Sequence, residues 1–270
     1  MGDALRHASG FLTLAHTRTG DGSRSLVLLH GLLGSARNLA TLARLLLERS
    51  PDLTVVAFDL PGHGHSPPLP PDADTALLAR EVLASVADLG VTAPLRLVGH
   101  SLGGHVALRV AQLQPSLIAS LTLLDIAPGR LHAAREVEHV LEVLARVPDV
   151  VASRADARAM LVSGGLDVAL SDWLLTNLDA TDDGYRWRID RHALAALHAR
   201  TAGEDLWSAV EGRRRYAVHC VRGARGYVTD ADIRRLQAAG CPVVTIDGAG
   251  HFLHAERPEP VAEAVRASLA

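Results

Sequence analysis

The sequence alternates short, continuous apolar runs with longer stretches of helical spacing, and this alternation restricts the chain to few folds. Residues 25–30 and 53–59 are two such runs, and residues 39–49 between them have helical spacing. Strands that are apolar throughout are typical of a parallel sheet with both faces covered, and the intervening helices supply that cover. The sequence therefore predicts an α/β fold with a mostly parallel central sheet flanked by helices.

The same alternation continues to the end of the sequence. Further strands are predicted at residues 95–99, 121–125, 216–223 and 242–247, and further helices at residues 75–89, 102–112 and 258–270.

One long segment interrupts this alternation. Residues 131–214 contain helical patterns and no strand pattern that we recognise. The predicted helices cover residues 135–146, 155–163, 168–178 and 191–201. Ligands of open α/β sheets bind beyond the carboxyl ends of the strands. We therefore predict a core formed by residues 1–130 and 215–270, and a helical cap formed by residues 131–214 that lies over this edge.

Composition excludes several kinds of partner. The chain of 270 residues is 48% hydrophobic and 21% charged with a net charge of −3, so it carries no basic patch for nucleic acid. No apolar run approaches the ~18 residues of a membrane span, and residues 1–10 lack a signal-peptide core. Cys220 and Cys241 form neither a disulfide framework nor a metal-ligand spacing. We expect a cytoplasmic protein that acts on a small molecule, with no cofactor, no metal, and no nucleic-acid or membrane partner.

The motif with the most chemical content is Gly99-His100-Ser101-Leu102-Gly103, which matches G-x-S-x-G. It lies between a predicted strand and a predicted helix, which is the context that the motif requires. A strand that turns sharply into a helix strains the residue at the apex and leaves no room for side chains two positions away. Ser101 is therefore the predicted nucleophile.

A second motif, His30-Gly31-Leu32-Leu33-Gly34, follows the first predicted strand. A turn at this place can direct a backbone N–H group toward the nucleophile. We predict an oxyanion hole formed by the N–H groups of Leu32 and Leu102, with His30 as a structural residue that holds the loop.

His251 is the predicted general base. It ends Gly248-Ala249-Gly250-His251, between the last predicted strand and the final helix, and the order Ser, acid, His along the chain fits this position. His254 is the local competitor, and its place on the way into the final helix makes it the weaker candidate.

The acid that orients His251 has four candidates in the sequence: Asp125, Asp230, Asp232 and Asp247. Asp230 and Asp232 have the pattern of a helix cap and first turn. Asp247 lies only four residues before the histidine, and a tight glycine turn would point the two side chains apart. Asp125 ends the strand that follows that of the nucleophile, and we favour it.

Several of these segments resemble the α/β-hydrolase superfamily: His30-Gly31, residues 59–66 (DLPGHGHS), Gly99–Gly104 and Gly248–His251. More narrowly, residues 30–39 (HGLLGSARNL), 124–128 (LDIAP) and 251–258 (HFLHAERP) are similar to the small YbfF-type bacterial acyl esterases and their mitochondrial abhydrolase-domain relatives. The likeness covers nearly the full chain. It implies an α/β-hydrolase fold, a cofactor-free hydrolase, and an acid at Asp125. Gly226 is a departure, since it occupies the position where much of the superfamily carries its acid.

The resemblance and the motifs together predict a serine hydrolase that cleaves carboxylic ester or thioester acyl groups through an acyl-enzyme. Two alternatives stay open from the sequence. The same fold supports carbon–carbon bond hydrolysis, lyase chemistry or perhydrolysis. A hydrolase-derived ligand receptor is the other alternative, although a receptor has no need of Ser101, His251 and an acid together.

Overall fold

The computed structural model describes residues 13–269, so residues 1–12 and Ala270, the last residue of the predicted final helix, lie outside it. The described residues form the following strands: β1 His16–Thr19, β2 Arg24–Leu29, β3 Leu53–Phe58, β4 Leu95–His100, β5 Ile118–Leu124, β6 Val150–Val151, β7 Leu178–Thr181, β8 Gly184–Trp187, β9 Ala217–Gly223 and β10 Val243–Ile246. The α-helices are α1 Ala40–Arg49, α2 Thr75–Asp88, α3 Leu102–Leu113, α4 Ala134–Arg146, α5 Arg154–Ser163, α6 Val168–Leu174, α7 Arg191–Thr201, α8 Asp230–Ala238, α9 Leu253–Glu256 and α10 Pro258–Ser268.

Seven strands form the central sheet in the order β1-β3-β2-β4-β5-β9-β10. Every neighbouring pair is parallel except β1 and β3. The mostly parallel sheet predicted from the sequence is thereby confirmed. Strand β1 was missed by the sequence analysis, because its four residues are all exposed and give no apolar run.

Both faces of the sheet are buried. Along β2, Val27 and Leu29 belong to one hydrophobic cluster, whereas Leu26 and Leu28 belong to a second cluster on the opposite face. Helices α2, α3 and α8 contribute to the first cluster, and α1 and α10 to the second. This arrangement explains why the strands read as continuous apolar runs rather than as an alternation of apolar and polar residues.

The strand register brings six loops to one edge of the sheet, one after each of the parallel strands β2, β3, β4, β5, β9 and β10. Leu29 pairs with Gly99, His100 with Leu124, and Gly223 with Ile246. Because these strands are parallel and end at the same level, the residues that follow them must meet at this edge. The segments that begin at His30 and Ser101 follow β2 and β4, which are neighbours in the sheet, so the two segments lie side by side at this edge.

The segment between residues 131 and 214, called the inserted segment below, is not purely helical, and the prediction that it contains no strand was wrong. Strands β6, β8 and β7 form a separate antiparallel sheet in that order. The predicted helix 168–178 ends at Leu174, and a short 3-10 turn leads into β7. These strands have two to four residues, and buried, half-buried and exposed positions are mixed along them, so they lack the apolar run that reveals a buried strand.

The inserted segment shares its core with the sheet, since Leu144, Leu161 and Trp187 belong to the same hydrophobic cluster as Val27. The boundaries assigned to the core and the cap remain predictions. Within residues 13–269, no helix combines the length and the apolar character needed to cross a membrane.

Candidate active site

Ser101 lies at the apex of the turn between β4 and α3. Its backbone has φ 51° and ψ −120°, a strained conformation for a residue with a side chain. Its N–H group donates to the carbonyl of Leu124 on β5 at 3.1 Å, and its own carbonyl accepts from Gly104 at 2.8 Å. The neighbouring strand and the first turn of the helix thus hold the strained turn in place.

Steric crowding explains the glycines of the motif. A Cβ atom at Gly99 would come within 2.3 Å of the carbonyl oxygen of Gly103. A Cβ atom at Gly103 would come within 2.3 Å of the carbonyl oxygen of Leu29 on β2. Any side chain at either position would force the strand and the helix apart, which is the physical reason that we expected from the sequence.

His30 fixes the start of the loop after β2, as predicted. One ring nitrogen, Nδ1, donates to the carbonyl of Gly31 at 2.8 Å, and Nε2 accepts from the N–H group of Leu60 at 2.9 Å. Burial lowers the pKa of His30 to about 4, so the ring is neutral, as these two hydrogen bonds require.

A residue of the inserted segment holds the other end of this loop. The side-chain amide of Asn177 donates to the carbonyl of Leu33 at 2.9 Å, and Leu33 has a positive φ of 63°. Leu32 lies between the two fixed points. Nothing in the sequence singled out Asn177, because its role depends on a contact across 144 positions.

Asp125 and His251 are in direct contact. His251 Nδ1 lies 2.8 Å from Asp125 Oδ2. The Asp125 carboxylate is fully buried and also accepts from the N–H groups of Gly223, at 2.9 Å, and Tyr227, at 2.8 Å. These contacts favour the tautomer in which Nδ1 carries the proton, which leaves Nε2 of the neutral ring free to accept one.

Gly226 and Asp125 share one volume. A Cβ atom at Gly226 would lie 1.9 Å from Asp125 Oδ1. The carboxylate therefore fills the space that a side chain at position 226 would need. This overlap gives a physical reason for the departure noted in the sequence, where Gly226 stands at the usual position of the acid.

The other candidate acids lie elsewhere. Asp230 is exposed and lies 3.7 Å from Arg222, and Asp232 forms a capping box with Thr229 at the start of α8. Asp247 is exposed after β10. Thr229 is the N-cap of α8 and both aspartates lie in its first turn, so the predicted helix start is confirmed with the threonine as its cap.

Three aromatic rings contact the imidazole of His251, and one of them, Phe252, is its neighbour in the chain, with ring centroids 5.3 Å apart. Tyr227 stacks on it with ring centroids 3.9 Å apart and an angle of 18° between the planes. His100 lies 4.6 Å away, and its Nε2 donates to the carbonyl of His251 at 2.9 Å. Burial, followed by the neighbouring His254 and His251, lowers the pKa of His100 well below its usual value. Nothing in the sequence pointed to Tyr227 or to a role for His100.

Two cavities meet at Ser101. The His198 cavity is lined by Leu32, Ser101, Leu102, His105, Ile126, Leu131, Val137, His198, Thr201 and Ala202. The His251 cavity is lined by Gly31, Leu32, Leu33, His100, Ser101, Val137, Val140, Leu170, Trp173, Tyr227, His251 and Phe252. Ser101 and Leu32 line both cavities, and the inserted segment supplies part of each wall.

The described residues contain no group of three or more His, Cys, Asp or Glu side chains arranged to hold a metal ion. As the sequence predicted, the candidate site residues lie at the carboxyl edge of the sheet: Ser101, His251, Asp125, Leu32 and Leu102. Their catalytic roles remain predictions.

The arrangement of the sheet and this edge defines a class of protein. The chain matches the alpha/beta hydrolase family over residues 26–264, which is most of its length, and it belongs to that family. It has the α/β-hydrolase fold, and it is a hydrolase enzyme of this type.

Particular relatives confirm the resemblance read from the motifs. The mouse protein named sn-1-specific diacylglycerol lipase ABHD11 is 29% identical over 258 residues, which are 91% of this chain and 81% of the relative. Esterase YbfF of Escherichia coli is 28% identical over 246 residues, 90% of this chain and 92% of the relative. A solved structure described as a marine microorganism esterase has a TM-score of 0.84 at 24% identity, and the match covers 94% of this chain and 98% of that one.

Proposed function

We propose that the protein hydrolyses carboxylic esters or thioesters of small acyl molecules, with Ser101 as nucleophile, His251 as general base and Asp125 as the orienting acid. The observation that carries this proposal is the hydrogen bond between the buried Asp125 carboxylate and His251, which lines the same cavity as the strained Ser101. A merely structural aspartate–histidine pair has no need of a serine held at positive φ beside it.

In the proposed reaction, the Ser101 hydroxyl oxygen bonds to the acyl carbon while its proton passes to His251 Nε2. The bond to the leaving group then breaks, and the same proton passes to the departing oxygen or sulfur. Water next attacks the acyl carbon of the acyl-enzyme and gives a proton to His251. The bond to Ser101 then breaks, the carboxylic acid product leaves, and the proton returns from His251 to Ser101. Asp125 stabilises the imidazolium in both steps.

We assign the oxyanion hole, which binds the negatively charged oxygen of the tetrahedral intermediate, to the N–H groups of Leu32 and Leu102. Leu102 is the first residue of α3, so its N–H group has no partner within the helix. Both residues line the His198 cavity beside Ser101. Each such donor contributes about 10²–10³-fold in rate in comparable sites.

The position of His251 distinguishes the two cavities. The leaving group must receive its proton from His251, so it belongs in the His251 cavity. The acyl group then extends to the other side of Ser101, into the His198 cavity. Apolar side chains such as Ile126 and Leu131 line that cavity and suit the chain of a carboxylic acid.

The relatives support an ester as the substrate, because the names of ABHD11 and YbfF describe a diacylglycerol lipase and an esterase.

The direct test is a panel of p-nitrophenyl esters and acyl-coenzyme A thioesters of graded chain length. The wild-type enzyme is expected to hydrolyse members of at least one series, and Ser101→Ala to hydrolyse none above background. A folded wild-type protein that turned over neither series would contradict the proposal.

A further inference from the structure

The peptide group that carries the Leu32 N–H is held by two hydrogen bonds. Its carbonyl, that of Gly31, accepts from His30 Nδ1 at 2.8 Å and from the N–H group of Gly34 at 3.0 Å. A trans peptide directs its C=O and its N–H to opposite sides, so these bonds also fix the direction of the Leu32 N–H group. The loop lies against the nucleophile, because a Cβ atom at Gly31 would come within 3.2 Å of Ser101 Cβ.

A second peptide group, between Leu33 and Gly34, links this loop to the inserted segment. Its N–H is the group that donates to Gly31, and its carbonyl, that of Leu33, accepts from the side-chain amide of Asn177 at 2.9 Å. Two peptide groups thus connect Asn177 to the Leu32 N–H group through consecutive hydrogen bonds. Consecutive hydrogen bonds polarise one another, so a bond at one end strengthens the donor at the other.

The conformation of Leu33 makes the loop depend on this external bond. Its φ of 63° lies in the left-handed region, and a tight turn normally places glycine at such a position. A leucine there costs free energy, so without a partner on its carbonyl the loop would relax toward negative φ. That relaxation would turn the peptide group between Leu33 and Gly34 and weaken the bond to Gly31 that orients the donor.

Asn177 is itself held firmly in the inserted segment. It is 2% exposed and is the last residue of the 3-10 turn after α6. Its Nδ2 atom also donates to the carbonyl of Leu174 at 3.3 Å, and two carbonyl acceptors require the nitrogen of the amide on this side. The guanidinium of Arg154 donates to the carbonyls of Leu175 and Leu178, at 2.6 and 2.7 Å. The turn therefore offers the loop a donor at a fixed place.

We propose that Asn177 is a positioning residue of the oxyanion hole. By holding the Leu33 carbonyl, it keeps the Leu32 N–H group directed at the substrate oxygen that gains negative charge. This role rests on the proposed function, and it gives a polar residue of the inserted segment a part in the chemical step.

The test removes the donor while keeping the size of the side chain. Asn177→Leu should lower kcat on p-nitrophenyl esters by about 10- to 100-fold with little change in KM, because the oxyanion forms only in the reaction. The affinity for a trifluoromethyl ketone, which forms an oxyanion when the serine adds to it, should fall in parallel. Asn177→Ser, whose side chain is too short to reach the Leu33 carbonyl, should show the same losses if Asn177→Leu does not fold. Thr176→Val, which removes a hydrogen bond to Trp173 within the same segment, should keep the wild-type kcat.

A double-variant experiment separates positioning from damage to the fold. Leu33→Gly permits a positive φ without strain, so the loop then depends less on Asn177. Asn177→Leu should therefore lower kcat at least about fivefold less in the Leu33→Gly background than in the wild type. An equal fall in both backgrounds, or a wild-type kcat in Asn177→Leu, would overturn the inference. Either result needs an active wild-type enzyme, so it would leave the proposed function standing, whereas an inactive wild type would contradict that function itself.

Discussion

Three residues other than glycine have a positive φ within the part of the chain that the structure describes: Leu33, Ser101 and Asp125. Each follows the end of a central strand by one to four residues, and such conformations cost about 1–3 kcal/mol apiece. Local hydrogen bonds oppose this cost. The N–H groups of Ser101 and Asp125 donate to the adjacent strand, and Asn177 holds the carbonyl of Leu33. Two of these three residues, Ser101 and Asp125, are proposed catalytic residues, and the third directly follows Leu32, a proposed oxyanion-hole donor.

The role of Asp125 leads to a prediction at this scale. Asp125→Asn replaces one acceptor oxygen by a donor in a site where two N–H groups and His251 all donate. The ring of His251 would have to change its tautomer or its position. We expect kcat to fall by ~10⁴ with little change in KM.

Steady-state kinetics on the preferred ester will check this, with Asp230→Asn as the control. Asp230 is exposed at the start of α8, so its variant should behave as the wild type. Loss of thermal stability in Asp125→Asn with near-normal turnover would mean that Asp125 only supports the fold.

At the scale of elements, the parallel strands and the inserted segment have separate tasks. The strand register places Ser101, Asp125 and the loop before His251 at one edge. The inserted segment adds walls to both cavities but contributes no residue to the proposed triad. We therefore expect changes in its apolar residues to alter substrate preference more than the chemical step.

Two residues of the inserted segment test the assignment of the cavities. Leu131 lines the His198 cavity, and Leu170 lines the His251 cavity. Leu131→Phe should lower the ratio of kcat/KM for long acyl chains to kcat/KM for short ones by at least about tenfold, because the larger side chain takes space on the acyl side. Leu170→Phe should instead disfavour bulky leaving groups at constant acyl length.

Each variant is the control for the other, and kcat/KM is measured on esters that vary one side at a time. If Leu170→Phe shifted the acyl-length preference and Leu131→Phe did not, the two cavities would have been assigned the wrong way round.

At the scale of the whole molecule, several buried histidines link folding to pH. Burial lowers the pKa of His30 and His254 to about 4 and that of His63 to about 3. These groups are neutral in the folded protein, whereas the unfolded chain binds protons as the pH falls below about 6.5. Their contribution to stability is therefore present above pH 6.5 and is lost as the pH falls toward 4.

We expect the free energy of unfolding to decrease by roughly 1.4 kcal/mol per pH unit for each of these histidines between about pH 6 and 4. Urea unfolding at pH 7, 6 and 5 will measure this dependence. His254→Gln should make it shallower by about one histidine, and His192→Gln, at an exposed position, should leave it unchanged. A stability independent of pH over this range would contradict the account.

The sequence predicted the central sheet well because burial on both faces leaves continuous apolar runs, as in β2. Ser101 and His251 could be selected from the sequence because each lies in a glycine-rich turn, and the steric need for glycine is visible in the neighbouring residues. The sequence could not reveal Asn177 or Tyr227, whose contacts come from distant parts of the chain. The hairpin of β7 and β8 also escaped, although its two-residue turn Asp182-Asp183 is followed by Gly184 at φ 132° and offered a weak signal.

The most direct test of the central claim is covalent labelling with a fluorophosphonate probe, read by mass spectrometry of the digested protein. The wild type is expected to carry one adduct, on Ser101, and Ser101→Ala to fold normally and carry none. Asp125→Asn should be labelled at the same residue but much more slowly, because His251 is no longer held to accept the hydroxyl proton. An adduct on a different serine, or labelling of Ser101→Ala at the wild-type rate, would show that Ser101 is not the nucleophile.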